Sequence, residues 1–169
     1  MAQPLVNLSQ WYTRSLRTLV YATTALAGTA VVSMTIITTL DVLGRALWRP
    51  LPGAYDLVTV LGGLAIACAL PYTTAVKGHV AVEFFFHKLR RRARIVVDTV
   101  NRCIGMALFA VLGWQTILYA RALRLSGEVT PTLELPLYPV VYVVAVVCFL
   151  VVLVILHHLV HPGREMIRP

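Results

Sequence analysis

Residues 140–155 read VVYVVAVVCFLVVLVI, a run without a single charged side chain. They form the centre of a longer stretch, residues 135–163, that contains no Asp, Glu, Lys or Arg. A transmembrane β-strand alternates apolar and polar residues over about ten positions, and this run shows no such alternation. A helix needs about 20 mostly apolar residues to cross the hydrocarbon layer of a bilayer. The stretch therefore predicts a transmembrane helix.

The same pattern occurs three more times along the chain. Residues 18–40, 57–76 and 103–120 also lack Asp, Glu, Lys and Arg. Charged residues make up only 13% of the chain, against about 25% in soluble proteins. We therefore predict an all-α integral membrane protein with four transmembrane helices in two hairpins. Residues 1–169 would form one membrane domain, with spans at about 18–40, 57–76, 97–120 and 135–157.

Basic residues are distributed unevenly between the segments that connect these helices. They concentrate before the first span, between the second and third, and after the fourth: Arg14, Arg17, Lys77, Lys88, Arg90, Arg91, Arg92, Arg94, Arg164 and Arg168. The other two loops carry equal numbers of acidic and basic residues. The positive-inside rule then predicts a multi-pass protein with both termini and the middle loop in the cytoplasm. This placement explains the net charge of +8 without a nucleic-acid partner.

The middle loop contains residues 80–89, VAVEFFFHKL, in which three phenylalanines adjoin the basic run. This composition predicts a short interfacial segment, with its rings in the acyl boundary and its cations near lipid phosphate. Membrane lipid is therefore an expected partner. A solvated basic turn that only sets the topology is the alternative.

The predicted spans lack the side chains that chemistry at membrane depth requires. Proton relays and ion paths use ionisable groups inside the membrane, and the four charge-free stretches contain no Asp, Glu, Lys or Arg. Haem bound between helices needs histidines at matching depth. The histidines lie instead in the middle loop and at the end of the fourth span: His79, His87, His157, His158 and His161. We predict no catalytic, substrate-binding or metal-binding residue, no enzyme activity and no cofactor. Asp98 and Arg102, four residues apart, are expected to form an interfacial ion pair.

One face of the first predicted helix carries small and hydroxylated residues: Thr24, Gly28, Val32, Thr35 and Thr39. Small residues let membrane helices approach closely, and hydroxyl groups can bond across the interface. Alternatively, the threonines bond the backbone of their own helix. If the stripe mediates packing, the sequence leaves open whether it faces this chain's own bundle or another protein.

Four short motifs occur at the ends of the predicted spans. Asp41-Val42-Leu43-Gly44-Arg45 ends the first, and Pro50-Leu51-Pro52-Gly53-Ala54-Tyr55-Asp56 leads into the second. Lys77-Gly78-His79-Val80-Ala81-Val82-Glu83 follows the second, and Leu135-Pro136-Leu137-Tyr138-Pro139 opens the fourth. In this order, over about residues 15–160, they resemble the small (Q-type) membrane subunit of tripartite ATP-independent periplasmic (TRAP) transporters. Leu137 and Tyr138 depart from that family, in which a tryptophan is common at this point.

This resemblance implies a function and a set of partners. A periplasmic substrate-binding protein would capture a carboxylate-bearing solute, and a large membrane subunit would hold the sodium-coupled transport path. The small subunit would pack against the large one as a scaffold, in the bacterial inner membrane. The alternative is a four-helix membrane-anchor subunit of another inner-membrane complex.

The motifs also supply the candidate structural and partner-contact residues. Arg45 and Asp56 bracket the first loop, and we expect them to orient the first hairpin by pairing with each other or with a partner. Independent contact with lipid headgroups is the alternative. Pro52 and Gly53 favour a tight turn before the second helix. Gly78 permits a helix-terminating backbone, and His79 is expected to be structural at the cytoplasmic surface.

Overall fold

The computed structural model describes residues 3–47, 49–76 and 91–160 and contains four α-helices. Their bounds are Gln3–Ala46 for α1, Ala54–Ala75 for α2, Arg91–Ser126 for α3 and Tyr138–Val160 for α4. All four are long and apolar enough to span a membrane. Within the described ranges there is no β-strand, only one isolated antiparallel bridge between Val129 and Pro136. The predicted all-α membrane fold with four transmembrane helices is confirmed.

The first and third helices extend well beyond the spans predicted for them. The helix α1 covers Gln3–Ala46, where the predicted span was 18–40, and α3 covers Arg91–Ser126, where it was 97–120. At 1.5 Å per residue, the 44 residues of α1 correspond to about 66 Å, twice the thickness of the hydrocarbon layer. The prediction ended the spans at charged residues, but charged residues continue a helix when their side chains are paired or reach water. The fourth helix begins later than predicted, because residues 135–137 belong to the preceding loop.

Two helices form the inside of the bundle and two lie at its sides. The helices α2 and α4 pack on each other, while α1 packs mainly on α2 and α3 on α4. Of the most apolar window of each helix, 28% is buried in α2 and 39% in α4, but only 11% in α1 and in α3. The outer helices therefore present most of their surface to lipid or to other proteins.

The core joins α1, α2 and α4. One cluster of buried residues contains Leu16 and Val20 of α1, Ala75 of α2, and Leu150 and Val154 of α4. A second cluster, nearer the middle of the bundle, joins Ala27, Cys68 and Val147. The start of α1 thus lies beside the ends of α2 and α4, so α1 runs antiparallel to both. The α1–α2 loop and the α3–α4 loop therefore share one end of the bundle, which we call the loop end.

Several predicted features fall on residues or side chains that the structure does not describe. The interfacial segment at residues 80–89 is among them, as are Gly78 and His79. The side chain of Asp98 is also outside it, so the pairing of Asp98 with Arg102 stays a prediction. Arg102 itself donates from Nη1 to the backbone carbonyl of His158, near the end of α4.

Candidate functional site

The predicted partner-contact residues fall in two places in the structure. Arg45, Pro52, Gly53 and Asp56 lie at the loop end, whereas the small-residue stripe runs along α1. The two groups do not form one site. Two of the four sequence motifs, at residues 41–45 and 50–56, meet at the loop end.

Asp41 organises the end of α1. Its Oδ2 accepts from both Nε and Nη2 of Arg45, at 2.9 and 2.8 Å. Its Oδ1 accepts from the backbone N–H of Leu51, at 3.0 Å, after the chain has turned. The suggested pairing of Arg45 with Asp56 is therefore wrong: the partner of Arg45 is one helical turn away, the i, i+4 geometry in which opposite charges meet on a helix. Asp41 joins the last turn of α1 to the loop that follows.

Gly44 allows the chain to fold back on the helix end. The backbone N–H of Arg49 donates to the carbonyl of Gly44 at 2.8 Å. A Cβ added at Gly44 would lie 2.4 Å from the carbonyl oxygen of Arg49. Since that neighbour is backbone rather than a flexible side chain, only glycine fits without moving the loop. The motif at residues 41–45 thus specifies the end of α1. Asp41 binds the loop, Gly44 leaves room for it and Arg45 pairs with Asp41.

Asp56 joins the two loops of the loop end. It lies in the first turn of α2 with only 3% of its surface exposed. Its Oδ2 accepts from the backbone N–H groups of Thr132 and Leu133, at 2.8 and 2.9 Å. The free N–H groups of a helix N-terminus also favour a carboxylate there. Asp56 therefore holds the α3–α4 loop against the start of α2, a contact between residues 76 and 77 positions apart.

Gly53 makes the close contact of the two loops possible. It precedes α2 with a φ of 79°, in the left-handed region that favours glycine. A Cβ at this position would lie 2.3 Å from Cγ of Leu133. Pro52 is exposed in the turn before it, and the N–H of Ala54 donates to the carbonyl of Leu51 at 3.3 Å. The predicted tight turn is present, and Gly53 is needed both for its backbone and for its missing side chain.

The α3–α4 loop has internal order of its own. Thr130 donates its N–H to the carbonyl of Leu135 at 3.0 Å and accepts from the N–H of Glu134 at 3.2 Å. Its hydroxyl accepts from the N–H of Leu135 at 3.1 Å. Glu134 takes a positive φ of 51°, which closes the turn. Sequence reasoning missed Thr130, Thr132 and Leu133; the prolines at 131 and 136 are typical of a turn, but they do not indicate its partner.

The stripe on α1 does not hold this chain's own bundle together. The hydroxyls of Thr24, Thr35 and Thr39 bond backbone carbonyls one turn earlier on α1, at 2.8 to 2.9 Å. Thr35, Thr39 and Gly28 are exposed, and a Cβ added at Gly28 would meet nothing within 4 Å. The alternative in which the threonines bond their own helix is therefore the observed one. The face itself is open to lipid or to another protein.

Few of the described side chains are arranged for catalysis or metal binding. Within the described residues, no group of three His, Cys, Asp or Glu side chains could hold a metal ion. Two acidic groups of the loop end bind backbone: Asp41 binds the α1–α2 loop and Asp56 the α3–α4 loop. At the opposite end, His157 and His158 are buried, and the ring of His157 lies 6.1 Å from that of Tyr12. The geometry describes a structural unit that fixes four helices and two loops.

Comparison with known families identifies the chain. The family model for the DctQ component of tripartite ATP-independent periplasmic transporters matches residues 34–164. This protein belongs to the DctQ family. The match covers well over half of the chain and includes all four motifs on which the resemblance rested. Comparisons with curated proteins and with solved structures gave no match.

Membership in the DctQ family makes the chain the small component of a TRAP transporter and a multi-pass membrane protein. The predicted family is confirmed. In this DctQ protein the family-like motifs at residues 41–45 and 50–56 form the helix end, the turn and the loop contact described above. The motif at residues 77–83 lies outside the described residues.

Proposed function

We propose that this DctQ protein is the scaffold subunit of a sodium-driven importer of carboxylate-bearing solutes. It would act with a large permease subunit and a periplasmic substrate-binding protein. The family match over residues 34–164 carries this proposal. The charge-free cores support it, because ion coupling needs ligands or titratable groups at depth, and residues 18–40, 57–76, 103–120 and 135–163 contain no Asp, Glu, Lys or Arg.

The orientation in the membrane follows from the basic residues. We propose that the loop end faces the periplasm of a bacterial inner membrane, with both termini in the cytoplasm. The shared position of the two loops, held by Asp56, supports this assignment because the charge rule places both on one side. Gly78 and His79 would then lie at the cytoplasmic surface in a structural role.

As a scaffold, this chain would be the rigid subunit, and the large subunit would contain the parts that move during transport. The loop end ties the start of α2 to the α3–α4 loop through backbone hydrogen bonds to a buried carboxylate. The outer helices α1 and α3 leave most of their surface free. A bundle whose loops are held together at one end, and whose outer helices are largely uncovered, is suited to lateral association with a larger membrane protein.

Co-purification tests the proposal. The chain would be tagged after Pro169 and solubilised in mild detergent from cells that express the adjacent transporter genes. We expect one multi-span permease in about equal amount and no Soret absorption, since a haem-bearing anchor subunit would absorb there. Purification with a haem or flavin enzyme instead would support the alternative anchor role and contradict the proposal.

A further inference from the structure

A single carboxamide occurs in the four charge-free cores of the chain, and it is the side chain of Gln115. It lies on α3, five residues before Ala120, which places it about 7.5 Å inside the end of that core. Gln115 is exposed, and among the described residues its amide has no hydrogen-bond partner. The core threonines differ, because they bond the backbone of their own helices, as Thr116 does with Leu112.

Gln115 points away from the rest of the bundle. The face of α3 that packs on α4 is marked by Gly113, where an added Cβ would lie 3.1 Å from Phe149. Two residues further on, at 100° per residue, Gln115 is about 200° around the helix from Gly113. Its neighbours on the outward side are exposed apolar residues, which with Gln115 we call the Gln115 face: Leu108, Val111, Trp114, Leu118 and Tyr119.

The outward side of α4 has a different composition. Its exposed side chains include Val143, Val146, Leu153 and Leu156, which consist only of hydrocarbon. That face is suited to lipid. A carboxamide in hydrocarbon is unfavourable unless its donor and acceptor groups are satisfied, and polar residues inside membranes normally face the interior of a bundle. Here the interior of the chain's own bundle is on the opposite side of α3.

We propose that the Gln115 face is the docking surface for the large membrane subunit. A transmembrane helix of that subunit would lie along α3 and present a hydrogen-bonding group opposite the Gln115 amide. The partner helix would need apolar side chains along this face and one hydrogen-bonding group at the depth of Gln115. This assignment rests on the proposed function, and it selects α3 rather than α1, whose hydroxyls at Thr35 and Thr39 are already satisfied.

Site-specific photo-crosslinking tests the docking surface. A photoreactive amino acid would replace Leu118 on α3, Val146 on α4 or Val32 on α1, in cells that express all three transporter components. We expect an adduct with the large subunit from Leu118 and none from Val146. An adduct only from Val32, or one between two copies of this chain, would overturn the inference.

A substitution tests the role of the amide itself. Gln115→Leu keeps an exposed side chain of similar size, so the isolated variant should elute and melt as the wild type does. We expect the retained large subunit to fall about threefold, which is what one average interhelical hydrogen bond gives in a membrane. Thr116→Val is the matched control and should change nothing, because Thr116 bonds its own helix. Unchanged retention with Gln115→Leu would contradict the hydrogen bond.

These experiments separate the two proposals. If the wild-type chain retains no large subunit, the proposed function fails. If it retains the subunit but cross-links to it only from α1, the docking surface fails and the proposed function stands.

Discussion

The carboxylate of Asp56, in the first turn of α2, accepts a hydrogen bond of 2.9 Å from the backbone N–H of Leu133, 77 positions later in the chain. The same oxygen accepts from the N–H of Thr132 at 2.8 Å. Backbone N–H groups that lose such an acceptor must find water or stay unsatisfied. Asp56 therefore helps to fix the relative position of the two loops.

Asp56→Ala is expected to lower the thermal unfolding midpoint of the purified chain in detergent by several degrees. Asp56→Asn should have a smaller effect, since its amide oxygen still accepts a hydrogen bond. The measurement is tryptophan fluorescence during heating. The matched control is Glu128→Ala, because Glu128 is exposed at the same end of the bundle and its substitution should leave the midpoint unchanged. Equal midpoints for Asp56→Ala and Glu128→Ala would contradict the loop contact.

Gly44→Ala is expected to destabilise the protein, whereas Gly28→Ala should not. At Gly44 the new methyl group would lie 2.4 Å from the carbonyl oxygen of Arg49, while at Gly28 it would meet nothing within 4 Å. Alanine also has a higher helix propensity than glycine, by about 1 kcal/mol in water. The two variants should therefore shift the midpoint in opposite directions, or Gly28→Ala should be neutral. A loss of stability confined to Gly28→Ala would show that the stripe on α1 packs closely.

Arg45 and Asp41 are expected to be energetically coupled. A double-mutant cycle with Arg45→Ala and Asp41→Ala, read by unfolding in mixed detergent micelles, should give a coupling of up to about 1 kcal/mol for an ion pair near the surface. In a second cycle, the effects of Arg45→Ala and Asp56→Ala should simply add, because the two side chains have separate partners. Coupling in the second cycle and additivity in the first would reverse the assignment of the pair.

Much of the fold followed from local patterns in the sequence. Each apolar stretch of about 20 residues forms a helix independently of the rest of the chain, because unpaired backbone groups are not tolerated in hydrocarbon. The motifs at residues 41–45 and 50–56 likewise act within a few residues of themselves. The helix ends could not be predicted as well: Asp41 and Arg45 stop an apolar run, but as an i, i+4 pair they continue α1.

The partners of the site residues were harder to predict. Asp56 could have paired with a nearby arginine, and only the packing of α2 against α4 brings the α3–α4 loop close enough to compete. Two backbone donors at hydrogen-bond distance then satisfy the carboxylate. The face that Gln115 occupies is likewise a result of tertiary packing, because its direction depends on which side of α3 meets α4.

Membrane orientation is expected to follow the basic residues. Alkaline phosphatase fused after Pro169 or within residues 88–94 should be inactive, and fusions near Pro52 and Gly127 should be active. The two positions at which we expect active fusions lie on the two loops of the loop end. Activity from a fusion at Arg92 would invert the assignment.

Solute uptake tests the central claim, that the chain is a required accessory subunit with no transport path of its own. Proteoliposomes would contain this chain, the large subunit, or both, with the binding protein outside and a sodium gradient across the membrane. Candidate organic acids would be followed by radiolabel. We predict sodium-dependent uptake only when both subunits are present. Uptake by this chain alone, or full-rate uptake by the large subunit without it, would contradict the account.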